Sequence, residues 1–363
     1  MFPSLCASVI GSFTLAKMII LTRKPPAVRA VSEGEAARNS AWQRDLRAAV
    51  RDAHELCRRL GLPAELADAA AGGADEFPVF VPPAYLARIR PGDPHDPLLR
   101  QVLPVVDETT EAPGFSRDPV ADKRATLQPG VLQKYAGRAL LVTTGACAVH
   151  CRYCFRRHFP YEEVPHSAAA WDTALRKIAA DDSLQEVILS GGDPWMLLDD
   201  RLATLVEKIA AIGHVTRLRV HTRLPVMIPT RVTEELIAWL TGTRLTPVVV
   251  IHANHARELD DAVADSLSRL RQVSVTLLNQ AVLLRGVNDS TAALTALSER
   301  LIEIGVVPYY LHQLDRVAGA AHFEVPVQQG RQIIDRLRAR LPGYMVPKYV
   351  QEIPGELSKI ALM

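Results

Sequence analysis

Three of the chain's five cysteines fall within residues 144–159, TGACAVHCRYCFRRHF, as Cys147, Cys151 and Cys154. Thiols in a C-x3-C-x2-C spacing, with no fourth cysteine nearby, suit a metal centre better than a disulfide. Iron–sulfur cubanes are held by Cys thiolates, normally four of them. Three leave one iron without a protein ligand, and an open coordination position is where a metal acts on a small molecule. The alternative is a structural zinc site completed by His150 or His158.

A loop of this kind needs a rigid base. It follows a strand-like run, Ala139-Leu140-Leu141-Val142-Thr143, and strand and helix signals alternate from residue 138 onward. Candidate strands are 139–144, 185–190, 217–222, 247–252, 273–278 and 306–312, short runs rich in Val, Leu and Ile with the look of strands buried on both faces. Amphipathic helices fit between them. In 167–180, Ser167 caps and Trp171, Leu175 and Ile178 form a stripe; in 255–270, Leu259, Val263 and Leu270 do the same. Further helices fit 199–212, 233–242, 291–304 and 327–341. Six such units predict an α/β fold, a partial (β/α)6 barrel of TIM-like type.

Barrel chemistry sits at the C-terminal strand ends. The second strand ends in Ser190-Gly191-Gly192-Asp193-Pro194, where glycines let a ligand approach the backbone and Asp193 can accept from an ammonium, or where the chain simply turns. The third ends in His221-Thr222-Arg223, the fourth in His252-Ala253-Asn254-His255 and the fifth in Asn279-Gln280.

The chain has 363 residues, enough for two domains or for one large α/β domain with appendages. A net charge of +2 implies no general attraction to nucleic acid or anionic membranes. Cysteine usage reads as a reduced cytoplasmic protein; Cys6 and Cys57 stand alone. The first 22 residues are apolar, but a basic n-region and an A-x-A site are missing and Lys17 interrupts the run, so neither a signal peptide nor a spanning helix is expected. Residues 1–17 are expected to be a disordered or artefactual extension, Met18 marking an alternative start. Residues 30–72 carry helical signals: Ser40 as a cap, Trp42, Leu46, Val50 and His54 at i, i+4, and Gly72-Gly73 as the end. A Pro-rich stretch follows, and no catalytic constellation is evident before about residue 125. The expected division is 1–125 as an N-terminal extension and helical region, 126–320 as the core and 321–363 as a C-terminal segment.

The cysteine triplet after a strand resembles the defining motif of the radical S-adenosylmethionine (SAM) enzymes, and SGGDP resembles their glycine-rich SAM motif. More narrowly, HCRYCFRRHFPY, SGGDPWM, RLPVMIPTRV, TLLNQAVLLRGVND, PYYLHQLDRVAGAAHF and GYMVPKYVQEIPGELSK resemble the lysine 2,3-aminomutase family. Within it they are similar to the shorter branch that makes (R)-β-lysine for modifying elongation factor P (EF-P). These stretches cover most of residues 88–359. The resemblance implies a radical SAM barrel and an isomerase converting (S)-α-lysine to (R)-β-lysine. Its cofactors would be a 4Fe-4S cluster, SAM and pyridoxal 5′-phosphate (PLP). L-lysine would be the substrate and a flavodoxin- or ferredoxin-type protein the electron donor, with a functional link to the EF-P lysine ligase and EF-P itself.

Residue by residue, the resemblance implies Cys147, Cys151 and Cys154 as cluster ligands. Ser190, Gly191, Gly192 and Asp193 would meet the methionine amino group of SAM, and His252 and Gln280 would line its site. Arg156 would pair with the substrate α-carboxylate, a partner its planar fork suits. Arg138 would contact the PLP phosphate, and Asp315 and Glu352 would share the far ammonium of lysine. Lys359, in PGELSK, would hold PLP covalently. The chain also departs from the catabolic members. Glu356-Leu357-Ser358 replaces glycines, Ser290 replaces a zinc-binding cysteine, and the chain stops at Met363, where those members carry a Cys-rich tail. The interfacial zinc is therefore expected to be absent. Glu352 stands where the aminomutases carry a second acid, one methylene shorter. Two rivals remain at this point: a family enzyme for another amino acid, and a non-catalytic zinc or redox module.

Overall fold

A computed structural model describes residues 41–164 and 168–362. The sequence's apolar runs become one ten-stranded sheet whose strands lie side by side in chain order. They are β1 (Thr126–Gln128), β2 (Val131–Leu132), β3 (Arg138–Thr144), β4 (Glu186–Gly191), β5 (Arg217–Thr222), β6 (Thr246–Ile251), β7 (Thr276–Val282), β8 (Val307–His312), β9 (Lys348–Gln351) and β10 (Ile360–Ala361). Every pairing from β3 through β9 is parallel. The hairpins β1–β2 and β9–β10 and the pair β2–β3 are antiparallel.

Parallel neighbours need crossovers, and amphipathic helices supply them. These include Ala168–Ala179, Asp199–Ala210, Glu234–Thr241, Asp261–Gln272, Thr291–Glu303 and Val327–Arg338. Three start where the sequence provides a cap: Thr233, Asp260 and Ser290 accept from the N–H groups of Leu236, Val263 and Ala293. Strand residues such as Leu141, Val187, Leu189, Val220, Val249 and Ile251 are buried against these helices in one continuous core.

The expected mixed α/β fold with a largely parallel sheet is what forms. Several details differ. A seventh parallel strand, β9, and the β9–β10 hairpin went unforeseen, because runs of four and two residues carry little periodicity. The β7 strand starts three residues later than expected; Ser274 has φ +63°, which makes 273–275 a turn. Leu259 is buried but precedes its helix. The single N-terminal helix is broken: Val50 bridges Val81, and His54 belongs to the next helix, Ala53–Arg59. Gly72 and Gly73 do not end a helix but lie inside Ala64–Glu76. A Cβ on Gly73 would stand 3.2 Å from Pro104 Cβ and Val105 O, so tertiary packing overrides the helix cost of glycine. Cys6, Ser40, Ser167 and the 1–17 extension lie outside the described residues. Among the described residues no helix is long and apolar enough to cross a membrane.

Candidate functional site

One cavity of about 700 Å³ takes side chains from β3, β4, β5, β7, β8 and β9, so the sheet curves around it. Cys147, Cys151 and Cys154 line one part of it, in the loop after β3. Lys359 lines another, where the β9–β10 hairpin turns back. The hairpin pairs Ile360 with Gln351, so one step further sets Lys359 opposite Glu352. Facing residues of an antiparallel pair share a face.

The thiols are enclosed. Burial, then the neighbouring Cys154 and Asp193, push the Cys147 thiol well up; burial and Cys151 push Cys154 up to about 11. Among the described residues no three His, Cys, Asp or Glu side chains are already drawn together as a ligand set. The donor set nevertheless fits a cationic cluster. Thiols whose ionisation burial opposes are ones that bound iron deprotonates and stabilises as thiolates. The imidazoles of the zinc alternative are engaged elsewhere: His150 Nδ1 donates to Pro78 O, and His158 Nε2 donates to Ala318 O.

Glycines weld the second loop to the cysteine loop. Gly191 has φ +120°, and its missing Cβ would lie 2.7 Å from Thr144 O; that of Gly192 would lie 2.4 Å from Ala146 O. The absent side chains thus let the two loops pack backbone to backbone, and both glycines line the cavity. Asp193 is likewise turned inward, its carboxylate accepting from Thr222 Oγ1 and the backbone N–H groups of Trp195, Arg223 and Leu224. It fixes the loop, and the residue itself lines the cavity. Ser190 Oγ accepts from Arg156 Nη1 at 3.3 Å.

At the lysine end the charges form a chain. Arg156 Nε donates to Asp122 Oδ2 at 2.7 Å, and Asp122 Oδ1 takes Lys134 Nζ at 2.7 Å. Lys134 also reaches Glu352 Oε1 at 2.5 Å, and Glu352 Oε2 pairs with Lys359. Against the cost of burial, Lys359 and Lys134 hold Glu352 down to about 2. Asp315 is the opposite case: burial and the charge of Glu352 raise it to about 7. The two acids therefore do not share one cation here. Glu352 is ionised and taken by two lysines, while Asp315 makes no ion pair among the described residues.

His252 and Gln280 line the same cavity, and burial lowers His252 to about 3, so it is a neutral imidazole. Arg138 opens β3, at the far end of that strand from the cysteines, and lies over the Tyr135 ring. Nearby, Arg219 pairs with Glu186 through Nη2, while its Nε and His221 Nε2 are buried without hydrogen-bond partners among the described residues, and both residues line the cavity. Unsatisfied donors and cations beside a reachable lysine amine fit a phosphorylated aldehyde such as PLP.

All fourteen residues expected in the site thus line one cavity. Four residues that brace them or the loops that carry them were missed. Asp122, Glu108 and Gln101 come from the segment that showed no constellation, and Lys134 precedes β3. Glu108 braces Arg152, in the cysteine loop, at a sequence separation of 44. Only Lys134 and Arg138, four apart, carried a local hint: two cations just before the strand that leads into the cysteines.

A family described as a 4Fe-4S single cluster domain matches residues 136–221. The chain is 48% identical over 322 residues to "L-lysine 2,3-aminomutase" of Escherichia coli, covering 88% of this chain and 94% of that protein. To the protein of the same name from Haemophilus influenzae it is 45% identical, again over 88% and 94%. To that of Clostridium subterminale it is 33% identical over 89% of this chain and 77% of that one. Solved structures are more distant: a radical SAM methyltransferase from Sphaerobacter thermophilus aligns with a TM-score of 0.43 and 19% identity over 61% of this chain and 68% of that one.

Proposed function

The chain belongs to the lysine 2,3-aminomutase family, and on that footing we propose that it moves the amino group of L-lysine from C2 to C3 to give β-lysine. One observation carries the reading: three thiols and a lysine with acidic neighbours line one cavity about large enough for a cofactor and an amino acid.

Within that reading the sheet and its crossover helices form a partial (β/α)6 barrel. Residues 126–320 make its core, 1–125 an appendage and 321–363 a segment that closes it with the PLP lysine. Cys147, Cys151 and Cys154 would hold a 4Fe-4S cluster, and Ser190, Gly191, Gly192, Asp193, His252 and Gln280 would hold SAM beside it. When bound, the cluster with SAM supplies a carbon radical and PLP supplies a conjugated carrier for nitrogen, chemistry no side chain provides.

The chain's own residues bind and orient. Arg156, already held by Asp122, offers its remaining N–H groups to the α-carboxylate. Asp315 and Glu352 receive the side-chain ammonium, which replaces lysine ammoniums that Glu352 otherwise holds. Lys359 is the amine that would hold PLP covalently, and its pairing with Glu352 would position that amine. Arg138 and Arg219 face the phosphate. The enclosing walls keep water from reactive carbon. The (R) product, its delivery through a ligase to EF-P, a flavodoxin- or ferredoxin-type donor and a cytoplasmic location complete the proposal.

The test is anaerobic reconstitution followed by incubation with lysine, SAM and a reductant. Four irons per chain, bound PLP and β-lysine are expected. One zinc without sulfide, or product from glutamate or arginine in place of lysine, overturns it.

A further inference from the structure

Arg223, at the end of β5, is placed against the cysteine loop by groups from three parts of the chain. Its Nη1 donates to Cys151 Sγ at 2.7 Å. Its Nη2 donates to Gln101 Oε1 and Glu258 Oε2, both at 2.8 Å. The side chain is 7% exposed and Glu258 is fully buried. Glu258 is in turn fixed by Gln101 Nε2 and the N–H groups of Asn254 and His255. The guanidinium thus has one N–H aimed at sulfur and a carboxylate anchor that prevents it from swinging away.

We propose that Arg223 sets the reduction potential of the cluster through its donation to Cys151, and that Gln101 and Glu258 position it for this. The inference rests on the reading of the three cysteines as cluster ligands. One-electron reduction adds a negative charge that spreads onto the sulfurs, while the external donor loses that electron. Hydrogen bonds and cations at the sulfurs stabilise the reduced form and raise the potential. A fixed cation in a dry wall does so without reorganising. A cluster potential that a small electron-transfer protein can match is what this residue supplies. A cluster without it would be harder to reduce.

Redox titration of the reconstituted protein without SAM tests this, following cluster absorbance and paramagnetic signal. At the potential where half of the parent protein is reduced, about a tenth of Arg223→Met is expected to be reduced. That roughly tenfold change in the ratio corresponds to about 59 mV for one electron. Arg223→Lys, which keeps the charge but not the fork, falls between the two. Glu258→Gln keeps an acceptor for the guanidinium, and so its position, but removes the opposing charge and shifts the potential the other way. Opposite shifts for the two sites separate tuning from loosened structure. Four bound irons with an unshifted potential in Arg223→Met overturn the inference alone, as do shifts of the same sign at both sites. A parent protein that assembles no cluster overturns it together with the reading of the cysteines.

Discussion

At the thiol end of the cavity Arg223, already paired with Glu258, donates to one of the three sulfurs, Cys151. At the lysine end Arg156, Lys134 and Lys359 stand among Asp122, Glu352 and Asp315, each ion pair running into the next. In the first arrangement burial holds the Cys147 and Cys154 thiols up until a guest brings positive charge. The second is balanced from within and can exchange one of its ammonium groups for a substrate's. One end is built to be completed, the other to be rearranged, and the family's chemistry needs both within one cavity.

The widest test of that contrast crosses the two ends. Cys154→Ala is expected to lose the iron–sulfur absorbance entirely while PLP remains covalently held. Lys359→Ala is expected to lose the PLP absorbance band and keep four irons. Iron, sulfide and PLP analysis on each variant decides it. A variant that loses both groups would mean that the ends assemble as one unit.

Asp315 gives the next test because it is the acid of this group that makes no ion pair among the described residues. Its carboxyl, raised to about 7 by burial and Glu352, is neutral below that pH and charged above it. Glu352, held down to about 2, stays ionised throughout. The KM for lysine should therefore fall as pH rises from 6 to 8 in the parent protein. Asp315→Asn should raise KM at pH 8 by about 30- to 1000-fold, a loss of ~2–4 kcal/mol of pairing, and flatten the pH dependence. A pH-independent KM in the parent, or an unchanged KM in the variant, removes Asp315 from ammonium binding.

What the sequence disclosed follows the same divide. The thiols and Lys359 sit in compact motifs, and the strands that carry them announce themselves as buried Val, Leu and Ile runs. The partners that tune them do not. Asp122 meets Arg156 across 34 residues and Lys134 meets Glu352 across 218, and each alone is an ordinary charged residue near a turn. Asp193 and the two glycines stood in the expected motif, yet their side of the contact is with the chain itself, because backbone-to-backbone approach leaves no mark beyond residue size. Gly72-Gly73 misled for the same reason: a close neighbour, invisible in sequence, outweighs local propensity.

Asp122 is the sharpest remaining probe, since two effects of its removal oppose each other. Asp122→Asn keeps the shape but deletes the charge that burial alone would have neutralised and that Arg156 and Lys134 keep ionised. The site gains net positive charge, which strengthens its hold on the substrate carboxylate and weakens its hold on the ammonium. These offset in binding, so KM should move by less than about threefold. Geometry has no such compensation. Arg156 loses the charge-assisted anchor on Nε and keeps a neutral amide acceptor there, the 3.3 Å contact with Ser190 Oγ and its place over the Phe155 and Phe159 rings, so the α-carbon it steers is less well aimed. Misplacement of about 1 Å can cost a hundredfold in rate. A loosened but still charged Arg156 should cost about tenfold in kcat. Steady-state kinetics at pH 8 separate the two effects: a tenfold loss in kcat with KM nearly fixed supports Asp122 as the residue that aims Arg156. A large change in KM with kcat intact would assign it to charge balance instead.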